Sequence, residues 1–195
     1  MRNERRTSMP WSPWKDKPSR LALVDAGCPH EALVLRQGVE LFGSWEVGVD
    51  LLAVGAGSHL ARCLRGQGSR AEHLVICCHG DAEKGILLPD LAPQCAAGEQ
   101  YLGSFGAEAI RREARLSGRV VLATGCATGL LAEAFLAAGA AAYLAPRGEP
   151  SGAAPLGFLM TFYYRLLAVG DDLETAFRAA QRTGGDCRLF GLFRP

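Results

Sequence analysis

Two residues in this sequence have the chemistry of a nucleophile and of its base, and both follow apolar runs. His73-Leu74-Val75-Ile76-Cys77-Cys78 leads into His79, with Gly80 and Asp81 behind it. Val120-Val121-Leu122-Ala123-Thr124-Gly125 leads into Cys126, with Ala127-Thr128-Gly129 behind it. Short apolar runs closed by turn residues read as buried strands. In an open parallel sheet, functional groups gather beyond the carboxyl ends of the strands. An imidazole at one strand end and a thiol at another can share a proton and attack a carbonyl.

The thiol reacts as thiolate, and a free thiol is mostly protonated near neutrality. A helix expected from Gly129 to Ala138 would place free N–H groups near Cys126, and their partial positive charge is expected to favour the thiolate. The backbone N–H groups of Gly80 and Cys126 are the expected oxyanion hole. Gly125 and Ala127 are small enough for a substrate backbone to come close. Two other cysteine-enzyme patterns fail. A nucleophile elbow needs glycine on both sides at a spacing of two, but position 124 is Thr and the next glycine is Gly129. The papain order, with cysteine first and histidine far downstream, is reversed here. Cysteines in apolar strands are usually core, and Cys77 and Cys78 are read so. His30, His59 and His73 read as a loop residue, a helix residue and a strand start.

The elements that must position this pair alternate between strand and helix. Strands are expected over 21–26, 46–54, 72–78, 120–124, 140–146 and 188–193. Helices are expected over 31–42, 59–64 (with Ser58 as N-cap), 107–116, 129–138, 156–168 and 173–181. Gly85–Pro89 reads as a small hairpin arm confined to an edge by its proline. The stretch 90–106 reads as a long loop of the kind that binds or covers a site. This alternation implies an α/β fold with a mainly parallel sheet and helices on both faces. Residues 1–20 read as a basic leader broken by Pro10, Pro13 and Pro18, and 21–195 as one domain. Trp11 and Trp14 are too apolar for an idle tail, and are expected to fold back on the domain or to meet a partner.

The totals narrow the function. Net charge is +1, so nothing global points to a nucleic-acid partner. No apolar run reaches the length of a membrane span, and the N-terminus has no apolar signal core. The seven cysteines lack C-x-x-C spacing, which favours reduced thiols and a cytoplasmic location over a disulfide framework or a zinc site. No metal or other cofactor is expected.

The strand ending in His79-Gly80, the strand ending in Thr124-Gly125-Cys126-Ala127-Thr128, and the run Phe158-Leu159-Met160-Thr161-Phe162-Tyr163-Tyr164-Arg165-Leu166-Leu167 together resemble the caspase–separase clan of cysteine peptidases. Within it they are most similar to the bacterial CHAT-type branch. His79 lies 47 residues before Cys126, and in caspases the histidine lies about 50 residues upstream. Leu173 to Gln181 looks like the helix that follows in the family. The resemblance covers about residue 70 to the end. It implies a caspase-like three-layer α/β/α sandwich, a Cys126–His79 dyad and endopeptidase activity on a protein or peptide, in a regulated protease of a bacterial defence or cell-death system. Three departures stand out. Thr124 occupies a position that is acidic or Gln in relatives. The loop Ala145 to Ser151 lacks the usual Trp and Asp and has Glu149 as its only acid. No repeat or sensor domain accompanies the domain, so control by a separate partner or by cleavage in a loop is expected. Asp25, Asp81 and Glu149 fall near the expected rim and are candidate substrate-binding acids, each also readable as a solvated loop charge or cap.

Two other readings stay open. A caspase-like module that binds a partner without catalysis would use the same face. A flavodoxin-like binder could hold a phosphate at Gly55-Ala56-Gly57-Ser58, although G-x-G-x-x-G is lacking because position 60 is Leu.

Overall fold

The computed structural model describes residues 17–195. The first strand, β1 (Arg20–Ala26), sits inside the sheet, and Leu21, Ala22, Leu23 and Val24 are buried on both of its faces. Arg20, read from the sequence as the last leader residue, opens this strand. Asp25 Oδ1 accepts the N–H groups of Gly27 and Cys28, which turns the chain into α1 (Pro29–Phe42) with proline in its first turn. There follow β2 (Gly48–Ala53) and α2 (Gly57–Leu64). Ser58 is not the cap of α2. Ala56 holds that position, while Ser58 lies inside the helix and donates its hydroxyl to Glu99.

The histidine strand, β3 (His73–Asp81), is longer than its apolar run suggests. Its first part lies in the parallel sheet. From His79 onward it pairs antiparallel with β4 (Gly85–Leu87), so His79 lies within the strand rather than after it. The long connection holds a single-turn α3 (Pro93–Ala96) and a two-residue β5 (Ser104–Phe105) that pairs with β4. Next come α4 (Ala107–Glu113) and the cysteine strand β6 (Val120–Ala123). The expected helix 129–138 is split into a 3-10 turn (Thr128–Leu131) and the short α5 (Ala132–Ala137). The chain then forms β7 (Ala142–Pro146) and α6 (Ala154–Tyr163), which runs on as a π-turn over Tyr164–Val169. The last elements are α7 (Leu173–Gln181), a 3-10 turn (Gly185–Leu189) and β8 (Phe190–Phe193).

The sheet order is β2-β1-β3-β6-β7-β8, parallel except for β8. One apolar layer joins the sheet to α2, α4 and α5, and a second joins it to α1, α6 and α7. In the second layer Phe158 stacks on Phe190 with ring centroids 4.0 Å apart, and emptying such a position costs about 3–5 kcal/mol. His73 is a core residue, 2% exposed, with Nδ1 3.3 Å from the Tyr163 hydroxyl. Among the described residues no helix is long and apolar enough to cross a membrane. The leader residues 1–16, including Trp11 and Trp14, lie outside the described residues.

Candidate active site

The register of the two central strands sets the site. β3 and β6 pair in parallel up to Ile76 opposite Ala123. His79 and Cys126 each lie three residues beyond that last pair, so they leave the sheet at the same level. The two chains then touch backbone to backbone. A Cβ built on Gly125 would lie 2.8 Å from Gly80 N, 2.8 Å from His79 C and 2.9 Å from the His79 oxygen. A Cβ on Gly80 would lie 2.8 Å from Thr128 Cγ2 and 2.9 Å from Gly125 C, and would overlap the Cys126 carbonyl oxygen. Real Cβ atoms do not come that close, so both positions need glycine for their lack of a side chain. The pairing of an imidazole segment with a thiol segment is thus written as a pair of glycines.

The segment after Cys126 is pinned as firmly. Ala127 adopts a left-handed conformation, φ 53°, unusual outside glycine. Its N–H donates to the Gly148 carbonyl at 2.7 Å, which ties the cysteine turn to the loop after β7. Thr128 donates its hydroxyl back to the Gly125 carbonyl at 2.7 Å, and Tyr143 donates to the Thr128 carbonyl at 2.9 Å. Gly129 passes over the end of β7, where a Cβ would meet the Pro146 oxygen at 2.7 Å. Cys126 is half-buried and His79 exposed.

The electrostatics differ from the sequence-based expectation. Burial pushes the Cys126 thiol above the ordinary cysteine value, the nearby Glu149 carboxylate adds to that, and the residue's own N–H partly offsets both. The helix that was to favour the thiolate is a four-residue 3-10 turn, too short to gather an aligned dipole. Burial and Glu149 both disfavour the Cys126 thiolate. Burial raises three other cysteines further: Cys28 to about 11, Cys78 to about 12 and Cys77 higher still. Cys95 is exposed.

The sequence reading missed Glu31. It stands in the first turn of α1, where an acid usually does no more than answer the helix dipole. Here its Oε2 is buried without a hydrogen-bond partner among the described residues. Burial raises its carboxyl above the usual range, against the lowering effects of the Thr124 hydroxyl and of charge on His79. The same Thr124 hydroxyl accepts Cys78 N–H at 3.0 Å and donates to the Cys78 carbonyl at 3.2 Å. Thr124, the odd residue two before the cysteine, therefore stitches β6 to β3. No motif spacing would reveal Glu31, because its nearness to His79 depends on how α1 packs on the sheet.

The three candidate substrate acids part ways. Asp25 is engaged with Gly27 and Cys28, as described above. Asp81 Oδ1 accepts the N–H groups of Glu83 and Lys84 at 2.9 Å each, capping the turn into β4, and these bonds hold its carboxyl below the usual range. Glu149 is exposed, makes no ion pair among the described residues, and acts electrostatically on Cys126.

No protein-family model matches the sequence, and no curated protein matches it. Solved structures do. The Arg-specific cysteine proteinase gingipain R aligns over 94% of this chain and 48% of its own, with TM-score 0.59 and 12% identity. A complex of the Porphyromonas gingivalis RgpB pro- and mature domains aligns over 90% and 47%, with TM-score 0.57 and 13% identity. The Saccharomyces cerevisiae separase–securin complex aligns over 91% of this chain and 12% of that one, with TM-score 0.54 and 9% identity. The chain therefore spans under half of these proteins. At such identity the likeness defines the fold: a caspase-like α/β sandwich with a mainly parallel central sheet.

Proposed function

We propose that the chain is a cysteine endopeptidase, with Cys126 as nucleophile and His79 as general base. The observation that carries this reading is the close packing of His79-Gly80 against Gly125-Cys126 at the carboxyl ends of adjacent parallel strands. His79 takes the thiol proton as sulfur attacks the scissile carbonyl, and an S–C bond forms. The N–H groups of Gly80 and Cys126 receive the developing oxyanion. The C–N bond then breaks, and the amine leaves with the proton from His79. Water releases the acyl group by the reverse sequence. Glu31, behind His79, is close enough for its carboxyl to feel charge on the imidazole. Glu149 is the acid best placed to receive a basic substrate side chain, while Asp25 and Asp81 shape the rim through their turns. The run Phe158 to Leu167 is the one most similar to CHAT-type domains, and the cytoplasmic defence role follows from that resemblance alone.

A thiol pKa raised by burial fits a protease under control. Two of the similar structures are complexes, one with a pro-domain and one with securin. By analogy, a separate regulatory protein is the expected partner. A catalytically silent module with the same fold is the second reading, favoured by the same raised thiol.

The test is alkylation of wild type and His79→Ala with iodoacetamide at mildly acidic pH, mapped by mass spectrometry, beside a basic peptidyl electrophile. Cys126 should be captured by the peptidyl electrophile, and both that capture and its alkylation should slow without His79. Equal rates in the two proteins, with no capture of the peptidyl electrophile, would leave the silent module as the reading.

A further inference from the structure

Most of the large apolar side chains exposed in the described residues gather in one place. There are eight, and five of them (Leu33, Val34, Leu41, Trp45 and Tyr164) lie on α1, on the turn after it, or against its end. At about 100° per residue, Leu33, Val34, Gln37 and Leu41 fall within one narrow arc of α1, opposite the buried Ala32, Leu35 and Val39. Leu41 is 63% exposed and Trp45 72%. Tyr164 extends the surface across the Phe42 ring, 5.5 Å away edge to face. A surface helix normally turns charge outward; this one offers an apolar stripe beside a single Arg36–Glu40 ion pair. Ser44 and Trp45, at φ 52° and 64°, both hold left-handed backbone in the turn that closes α1. A contiguous patch of this kind marks a contact.

The geometry points to what covers it. We propose that residues 1–16 of the same chain lie along this face of α1, with Trp11 and Trp14 as the contacts. The described chain begins there. Ser19 accepts Gly48 N–H at 2.9 Å, and Lys17, Pro18 and Ser19 line one hollow with Glu46 and Val47, directly after Trp45. Trp14 precedes Lys17 by three residues and Trp11 by six. At about 3.3–3.6 Å per extended residue, Trp11 reaches roughly 20 Å from that exit. The 14 residues of α1 span roughly 21 Å. Each indole can cover roughly 150–250 Å2. Pro10 and Pro13, which directly precede Trp11 and Trp14 in the sequence, lower the chain entropy lost on docking.

The sequence supplies its own probe. The protein has three tryptophans, at positions 11, 14 and 45. In full-length Trp45→Phe, fluorescence comes from Trp11 and Trp14 alone. Acrylamide should quench it severalfold less than it quenches a free peptide of residues 1–16. Adding Leu41→Arg, an exposed change whose fold is checked by circular dichroism, should restore peptide-like quenching. Val34→Gln, exposed on the same stripe, should do so in part and serves if the arginine variant fails to fold. Three results would overturn the proposal. The first is peptide-like quenching in Trp45→Phe itself, which would assign the patch to another protein. The second is shielding indifferent to Leu41 and Val34. The third is shielding that grows with protein concentration, which would assign the patch to a second copy.

Discussion

Gly80 and Gly125 meet at the carboxyl ends of β3 and β6, each filling the place where the other's side chain would stand. This contact sets the separation of the His79 and Cys126 segments, and it is steric rather than electrostatic. Gly125→Ala should therefore remove Cys126 reactivity and destabilise the fold by about 1–3 kcal/mol, the usual range for overpacking. Gly80→Ala should do at least as much, since its Cβ would press on the Cys126 carbonyl itself. The checks are urea unfolding and the alkylation rate of Cys126. An alanine at either position that left both unchanged would contradict the contact.

Glu31 should show the opposite balance of stability and reactivity. A buried carboxylate oxygen without a partner opposes folding, so Glu31→Gln should hold or raise the melting temperature. Removing the charge felt between Glu31 and His79 should at the same time slow His79-dependent alkylation of Cys126. A merely structural residue would lose stability and reactivity together. Thermal unfolding and alkylation measured on one preparation separate the two roles.

The fold was largely legible because its core strands are short apolar runs closed by glycine or charge. Leu21 to Val24 and Val120 to Ala123 are strands in the structure much as they read in sequence. Where the reading failed, a tertiary contact had overruled local pattern. β3 continues through His79 because β4 supplies a partner after the parallel sheet ends. The helix after Cys126 is split by a 3-10 turn whose Thr128 carbonyl is taken by the Tyr143 hydroxyl. Ser58 reads as a cap, yet Glu99, 41 residues away, takes its hydroxyl. Of the candidate site, the two chemical residues and their glycines can be read from the chain. Glu31 cannot, because its nearness to His79 arises only once α1 packs on the sheet.

His73 makes the fold sensitive to acid independently of the site. Burial holds its imidazole neutral and lowers its pKa from 6.5 to about 4. The unfolded chain therefore binds the extra proton first. The stability is fully present above pH 6.5 and is lost as pH falls from there toward 4. The total loss is of the order of 3 kcal/mol. Urea midpoints across that range should fall for wild type and fall much less for His73→Gln, which cannot charge. Parallel curves for the two proteins would mean that another group governs the acid limb.

Glu149 separates reactivity from recognition. Its carboxylate raises the Cys126 pKa, so Glu149→Gln should lower it and increase the thiolate fraction at neutral pH. Alkylation by iodoacetamide, a small neutral reagent that needs no binding pocket, should then become severalfold faster. If the same carboxylate receives a basic substrate side chain, labelling by a basic peptidyl electrophile should become slower in the same variant, and labelling by its uncharged analogue should follow iodoacetamide upward. Burial, the larger cause of the raised pKa, is untouched by the substitution, so the thiol should stay above its ordinary value and keep its dependence on His79. Opposite movement of the two reagents would assign Glu149 to both tasks. A gain with all three would confine it to tuning the thiol, and no change with any would place its charge out of reach of the sulfur.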